Sequence, residues 1–332
     1  MAGLADQLRH AGVAVLGPSA AAARIEGSKT FAKEVMASAG VPTAERLSVA
    51  RPPCVRQGRR TRRGKGVFVC RTQAELDDGL RAAAALGGAL LIEELLEGEE
   101  LSLLAICDGQ SAVPLAPAQD FKRLEDGDRG PNTGGMGSYS PVPGIGPAEV
   151  EELLETVHRP VLAELSRRGA PFVGVLYAGL MLTDAGPRVL EFNCRFGDPE
   201  TQSILPRLDA DLLPALAAAA AGDLGGGELA TGDRATVTVV LVGADPLDRG
   251  DRGTPIEGVE DAEASGALVF HVGTAERSGR LLTNGRRILN VIGAGDDVAA
   301  ARAAAYEGVG RISFAGMKYR SDIAAAAEAR VG

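Results

Sequence analysis

Val189-Leu190-Glu191-Phe192-Asn193-Cys194-Arg195-Phe196-Gly197-Asp198-Pro199-Glu200-Thr201-Gln202 is the stretch that decides how the rest of this chain is read. Val189, Leu190 and Phe192 have the apolar, β-favouring character of a short strand. Glu191 and Asn193 lie two apart, so on a strand their side chains leave the same face and offer a carboxylate and an amide oxygen together. That is the donor chemistry a hard cation such as Mg²⁺ takes. Arg195 follows, and then Gly197-Asp198-Pro199-Glu200, a turn that sets a cation and two further carboxylates beside the pair. An isolated E-x-N is also what the solvated polar end of an edge strand looks like, and the local pattern leaves both readings open.

A chain of 332 residues with 45% hydrophobic content exceeds one ordinary domain and can bury a large core. No apolar run is long enough to cross a membrane, and Met1 is not followed by a basic and then apolar leader, which implies a cytoplasmic protein. Cys54, Cys70, Cys107 and Cys194 show no C-x-x-C spacing, so free thiols in a reducing compartment are expected and a zinc site is not. A net charge of −9 argues against nucleic-acid binding. Local pattern predicts a helix over 2–11, a buried strand at Val13–Leu16, and helices over 19–39, 72–86, 149–168, 213–221 and 297–307. Strands are expected at 89–92, 101–107, 172–182, 235–242, 267–272, 281–282 and 287–291, and Gly222–Gly227 is the best candidate linker.

The fourteen-residue string resembles the metal-binding signature of the phosphoribosylamine–glycine ligase family, purine-pathway enzymes of the ATP-grasp superfamily, and the resemblance extends over nearly all 332 residues. It implies an α/β (α+β) protein with an ATP-grasp fold, divided into a remnant of an amino-terminal α/β domain (1–20), the ATP-grasp domain (21–222, with about 42–97 as its mobile nucleotide-covering part) and a small carboxy-terminal α+β domain (228–332). The family's opening G-x-G-G-R-E-H loop has no counterpart here, so by resemblance the chain is amino-terminally truncated. Glu191 and Asn193 are implied to hold the Mg²⁺ or Mn²⁺ that bridges the ATP phosphates. Glu26-Gly27-Ser28-Lys29 matches the family's E-G-S-K, which carries Lys29 to the nucleotide, although a solvated helix lysine has the same appearance. Glu93-Glu94-Leu95-Leu96 matches the hinge that holds the adenine edge, and Glu100 the glutamate on the ribose hydroxyls. Gln119-Asp120-Phe121-Lys122-Arg123 and Gly130-Pro131-Asn132-Thr133-Gly134-Gly135-Met136-Gly137 match the substrate and phosphate end, where glycines let backbone amides approach an anion and Lys122 and Arg123 add charge. Phe121 departs from the histidine common in the family. Arg195 and Asp198 are the candidates for orienting glycine and the amine. His271 is the one histidine expected near the cleft, with a packed structural role as the plainer reading.

The main departure is at 56–63. Where the family has approximately V-K-A-D-G-L-A-A, this chain has Arg56-Gln57-Gly58-Arg59-Arg60-Thr61-Arg62-Arg63, with matching flanks and unchanged length. A coding string GTC AAG GCC GAC GGA CTC GCC GC, read with one extra C in front, yields R-Q-G-R-R-T-R-R at every position. A compensated pair of frameshifts, in the gene or its sequencing, accounts for this. An arginine patch for phosphate or nucleic acid and a solvated loop are the rival readings. Gln57 then stands where a phosphate-contacting lysine is expected, and losing one preorganised contact to developing charge costs roughly 3–4 kcal/mol, about 10²–10³ in rate. Lys65 and Gly66 in the preserved G-K-G remain candidates at the phosphates. Five arginines in eight residues attract ATP without orienting it.

The implied reaction joins glycine to 5-phosphoribosylamine with ATP as co-substrate, through an acyl phosphate, in a monomer with small-molecule substrates and neither nucleic acid nor membrane as partner. Another purine-pathway ATP-grasp ligase or carboxylase, and a non-catalytic nucleotide-binding remnant, are the alternatives.

Overall fold

The computed structural model describes residues 3–57, 67–86, 91–225 and 227–331. Helix α1 (Leu4–His10) buries none of its side chains. The strand expected at Val13–Leu16 does not form: no β-pairing among the described residues involves it, and Val13 is 49% exposed. Four apolar residues favour an extended backbone, but a strand exists only beside a neighbour that takes its hydrogen bonds. The single helix expected over 19–39 is two, α2 (Arg24–Gly27) and α3 (Lys29–Ala39). Ser28 between them is extended, and its hydroxyl accepts the Phe31 amide at 3.3 Å, an N-cap that starts a new helix. Gly40, left-handed at φ 69°, closes α3.

A small antiparallel sheet follows, in the order β2-β1-β3, from β1 (Cys54–Gln57), β2 (Val67–Cys70) and β3 (Leu91–Glu94), with α4 (Gln73–Leu86) between β2 and β3 in sequence. Its core is Cys54, Cys70 and Leu76. The strand expected from residue 89 is described only from Leu91, and most of the 56–63 departure, with Lys65 and Gly66, lies outside the described residues. Strand β4 (Glu99–Asp108), buried from Leu101 to Cys107, turns back through a hairpin into β5 (Ala112–Pro114), as Asp108-Gly109 suggests.

Short strands β6 (Gln119–Asp120), β7 (Arg123–Glu125), β8 (Arg129–Asn132) and β9 (Gly137–Ser140) come next, with β7 and β8 pairing, among the described residues, only with each other. The helix expected over 149–168 is α5 (Pro147–Leu153) and α6 (Arg159–Arg167), joined by a π turn at Leu154–His158. Val150, Leu153, Leu154, Val157, Val161, Leu162 and Leu165 face the core at helical spacing. Strand β10 (Val173–Thr183) lies between β4 and β11 (Gly186–Asn193), giving a second sheet in the order β11-β10-β4-β5. Helices α7 (Glu200–Ile204) and α8 (Leu212–Ala221) then lead to the glycine-rich stretch.

The remainder comprises β12 (Ala235–Val242), β13 (Asp251–Pro255), α9 (Val259–Ala264), β14 (Leu268–His271), β15 (Thr274–Arg277), β16 (Arg280–Gly285), β17 (Arg287–Gly295), α10 (Val298–Arg311) and α11 (Ala325–Val331). Its main sheet has the order β14-β17-β12-β9-β6, so β9, from before Gly222, shares backbone hydrogen bonds with β12 after it, and β6 extends the sheet on the far side of β9. Helix α10 lies directly on β17: a Cβ at Gly293 would sit 2.1 Å from the Ala305 nitrogen, so only glycine permits this approach. Among the described residues no helix is long and apolar enough to cross a membrane.

Candidate active site

A cleft of about 590 Å³ opens between the small sheet, the start of β4, the β6–β8 region, β11 and α11. Lys29, Glu93, Glu94, Leu96, Glu100, Lys122, Arg123 and Glu191, read from distant parts of the sequence, all line it. The hinge side is fixed by α3. Lys33 ion-pairs with the buried Glu93 carboxylate and donates to the Thr43 hydroxyl at 2.9 Å, and that hydroxyl donates to the Val189 carbonyl at 2.7 Å. One lysine thus ties β3, through the Thr43 hydroxyl, to the middle of β11. Glu94 accepts the Glu45 amide at 2.9 Å.

On β11 the register against β10 slips between Gly179 and Leu180: Gly179 pairs with Glu191 and Leu180 with Val189, leaving Leu190 out of the ladder. This bulge turns both Leu190 and Glu191 toward the cleft, where strict alternation would have sent them to opposite faces. Asn193 is 1% exposed, behind Glu191, with its amide nitrogen 3.4 Å from the Glu191 carboxylate. Rotating that amide by half a turn would bring its oxygen to the same side.

Opposite, Lys122 ion-pairs with Glu100 and stands 3.5 Å from Asp120. Desolvation works against the Lys122 charge, but the Asp120 and Glu100 carboxylates outweigh it and hold the ammonium well above its ordinary range. Asp120, only 5% exposed, is pushed up to about 7 by burial, with Glu200 and Glu100 adding to the shift and Lys122 opposing it. Behind it Glu200 accepts the Tyr177 hydroxyl at 2.7 Å, and Ser102 lies 2.8 Å from the same hydroxyl. Asp120, Tyr177 and Lys33 were not singled out from the sequence. Asp120 stands in the quoted Gln119–Arg123 block, and its altered proton affinity arises from burial first, with carboxylates on α7 and β4 adding to it.

Arg195 and Asp198 are not brought to this cleft. Arg195 is exposed and donates to the Phe196 carbonyl at 2.8 Å. Asp198 faces β17, accepting from Arg287 at 3.0 Å and from Asn290 at 3.3 Å. A turn sequence shows that charges are adjacent but not which way the chain leaves the strand. The glycine run is fixed by packing as well: a Cβ at Gly135 would sit 2.4 Å from Pro199, and one at Gly137 2.6 Å from the Thr238 carbonyl. His271 is neither in the cleft nor packed. It is exposed, with Nδ1 3.0 Å from the Thr274 hydroxyl, because β14 is the sheet edge. The buried histidine is His158 in the π turn, whose burial depresses its imidazole to about 4.

No group of three His, Cys, Asp or Glu that could hold a metal occurs among the described residues. A cation of the Mg²⁺ kind binds through one or two carboxylates and completes its shell with substrate phosphates and water. The Glu191 carboxylate with the Asn193 amide oxygen fits that requirement.

The phosphoribosylglycinamide synthetase ATP-grasp (A) domain family matches residues 27–201, and the C domain of the same synthetase matches residues 236–326. The phosphoribosylamine–glycine ligase of Streptomyces coelicolor is 45% identical over 98% of this chain and 82% of its own length. That of Corynebacterium ammoniagenes is 44% identical over 99% and 80%. The crystal structure of the Thermotoga maritima phosphoribosylamine–glycine ligase superposes with a TM-score of 0.83 at 34% identity, over 93% of this chain and 81% of that one. An N5-carboxyaminoimidazole ribonucleotide synthetase, also from Thermotoga maritima, shares the fold at a TM-score of 0.65 and 18% identity. With Glu93, Lys122 and Glu191 around one cleft, in a chain matched along nearly its whole length, this protein belongs to the phosphoribosylamine–glycine ligase family of ATP-grasp enzymes.

Proposed function

We propose that the cleft joins glycine to 5-phosphoribosylamine at the expense of ATP, releasing glycinamide ribonucleotide, ADP and phosphate. The observation that carries this is the convergence of Glu93–Leu96, Lys122 with Arg123, and Glu191 on one cleft, since adenine, phosphate and metal must be held at once. The glycine carboxylate takes the γ-phosphoryl group, and the amine then displaces phosphate from the acyl carbon. No side-chain nucleophile is required, so the protein's work is placement and charge. Glu191 and Asn193 would hold Mg²⁺ or Mn²⁺. When bound, that ion neutralises charge on the transferring phosphoryl group.

Lys122, kept protonated by its two carboxylates, supplies fixed positive charge to the anionic substrates. Asp120, raised to about 7, is the cleft carboxyl able to hold or pass a proton near neutrality, as loss of a proton from the attacking amine requires. Residues 42–97 serve as the cover over the nucleotide. A second reading, nucleotide binding without turnover, draws on Gln57, which occupies β1 where the family's lysine is expected. Phosphate release measured with and without glycine, with phosphoribosylamine generated in the assay, separates the two. Release that ignores glycine, or none at all beside intact ATP binding, would overturn the ligase reading.

A further inference from the structure

Among the described residues the β7–β8 hairpin pairs with no other strand, yet it carries Arg123, Asp128 and Asn132 to the cleft wall. What holds it is Arg320, from the segment between α10 and α11, whose side chain is 1% exposed. Its Nε and Nη2 donate to the two oxygens of Asp322, each at 2.7 Å. Its Nη1 donates to Asp128 at 2.7 Å and to the Arg123 carbonyl at 3.2 Å. The guanidinium carbon lies 4.9 Å from the centre of the Phe121 ring. Arg320 therefore touches the residues on both sides of Lys122, one through its ring and the other through its carbonyl. Further bonds close the same seam: the Gly127 amide donates to Asp322 at 2.8 Å, and the Ser321 amide to Asp126 at 2.9 Å.

We propose that Arg320 is a positioning residue for the ligation, a buried clamp through which the carboxy-terminal region sets the place of Lys122 and Arg123 against the anionic substrates. The proposal rests on the ligase reading given above and adds to it a residue outside the cleft. Guanidinium is suited to this role because its planar fork takes the Asp322 carboxylate in two bonds while its face stacks on a ring. Lysine can do neither. Phe121, a departure from the family's common histidine, gives that face an apolar platform.

Two substitutions in the full chain test this. Arg320→Lys keeps the charge but loses the fork and the stack. Asp128→Asn removes one contact at a side chain 69% exposed, and asparagine tolerates the left-handed backbone at φ 51° as well as aspartate does. Arg320→Lys is expected to lower glycine-dependent phosphate release roughly 10–100-fold, and Asp128→Asn about two- to fivefold. Affinity for ATP, measured by calorimetry, should fall less than turnover, because Glu93–Leu96 is untouched and only the contact at Lys122 and Arg123 is disturbed. Hydrogen exchange should accelerate at residues 121–132 in both variants and remain slow in β4 and β10. Wild-type turnover and wild-type exchange at 121–132 in a folded Arg320→Lys protein would overturn the clamp, and so would an equal loss of ATP affinity and turnover. If the parent protein shows no glycine-dependent release, the ligase reading fails, while the exchange measurement still reports on the clamp.

Discussion

Glu191 reaches the cleft from the bulged part of β11 and is only partly buried, so its removal should not unsettle the core. Glu191→Ala is expected to weaken metal-dependent ATP binding by at least about 10–100-fold, since even groups behind a metal ligand are worth that much. Melting should be nearly unchanged. Calorimetry with and without Mg²⁺ checks this, and equal MgATP affinity in both proteins would remove Glu191 from the metal site. Asp120 is expected to act in the opposite way on stability. Its carboxyl is raised to about 7 in the folded protein by burial foremost, so folding favours its protonated form. The contribution is complete at acid pH and is lost as pH rises from the ordinary carboxylate range through about 7. Asp120→Asn keeps the shape and cannot ionise. Its melting temperature relative to wild type should therefore climb between pH 5 and pH 8, while turnover falls and its dependence on pH flattens. A constant difference in melting temperature would show that the carboxyl is not raised. Glu191 was legible in the sequence because its donor pairing is local. Asp120's proton affinity was not, because it depends first on burial and then on Glu200 and Glu100, which only the fold supplies.

Elements were legible where a period ran unbroken. The β12 and α4 spans followed from pattern alone, with α4 starting one residue late. Interruptions were not: Ser28 capping a second helix, the π turn before α6, and an apolar tetrad at 13–16 without a partner strand all depend on what lies alongside. The same limit applies to β1. Its backbone pairs Gln57 with Val67 and with Leu91, so the position expected to carry the phosphate lysine is a regular strand site in the centre of the small sheet. Replacing residues 56–63 with V-K-A-D-G-L-A-A should therefore be accepted by the sheet. MgATP affinity should rise about 10–100-fold, the value of one charge-assisted contact. Calorimetry on the two proteins decides it, and unchanged affinity would mean that Lys29, Lys65 or Lys122 already supplies the charge.

At the scale of the whole molecule the sequence marked, after a short amino-terminal remnant, two regions and a glycine-rich passage between them, and the structure threads one sheet through both, β9 and β6 on one side and β12, β17 and β14 on the other. Strand pairing of this kind leaves no local signature, since any apolar strand offers the same hydrogen-bonding edge. Heating should accordingly give one cooperative transition in calorimetry, with calorimetric and van't Hoff enthalpies in agreement, and two resolved peaks would show that the shared sheet does not couple the halves. There is also a consequence for synthesis on the ribosome. Ser140 leaves the exit tunnel well before Thr236, its eventual partner, and at about 5–20 residues per second the wait lasts on the order of 5–20 s. During that interval β9 and the apolar face around Tyr139 are an open edge, so the nascent chain passes through a stage in which chaperone capture competes with self-association.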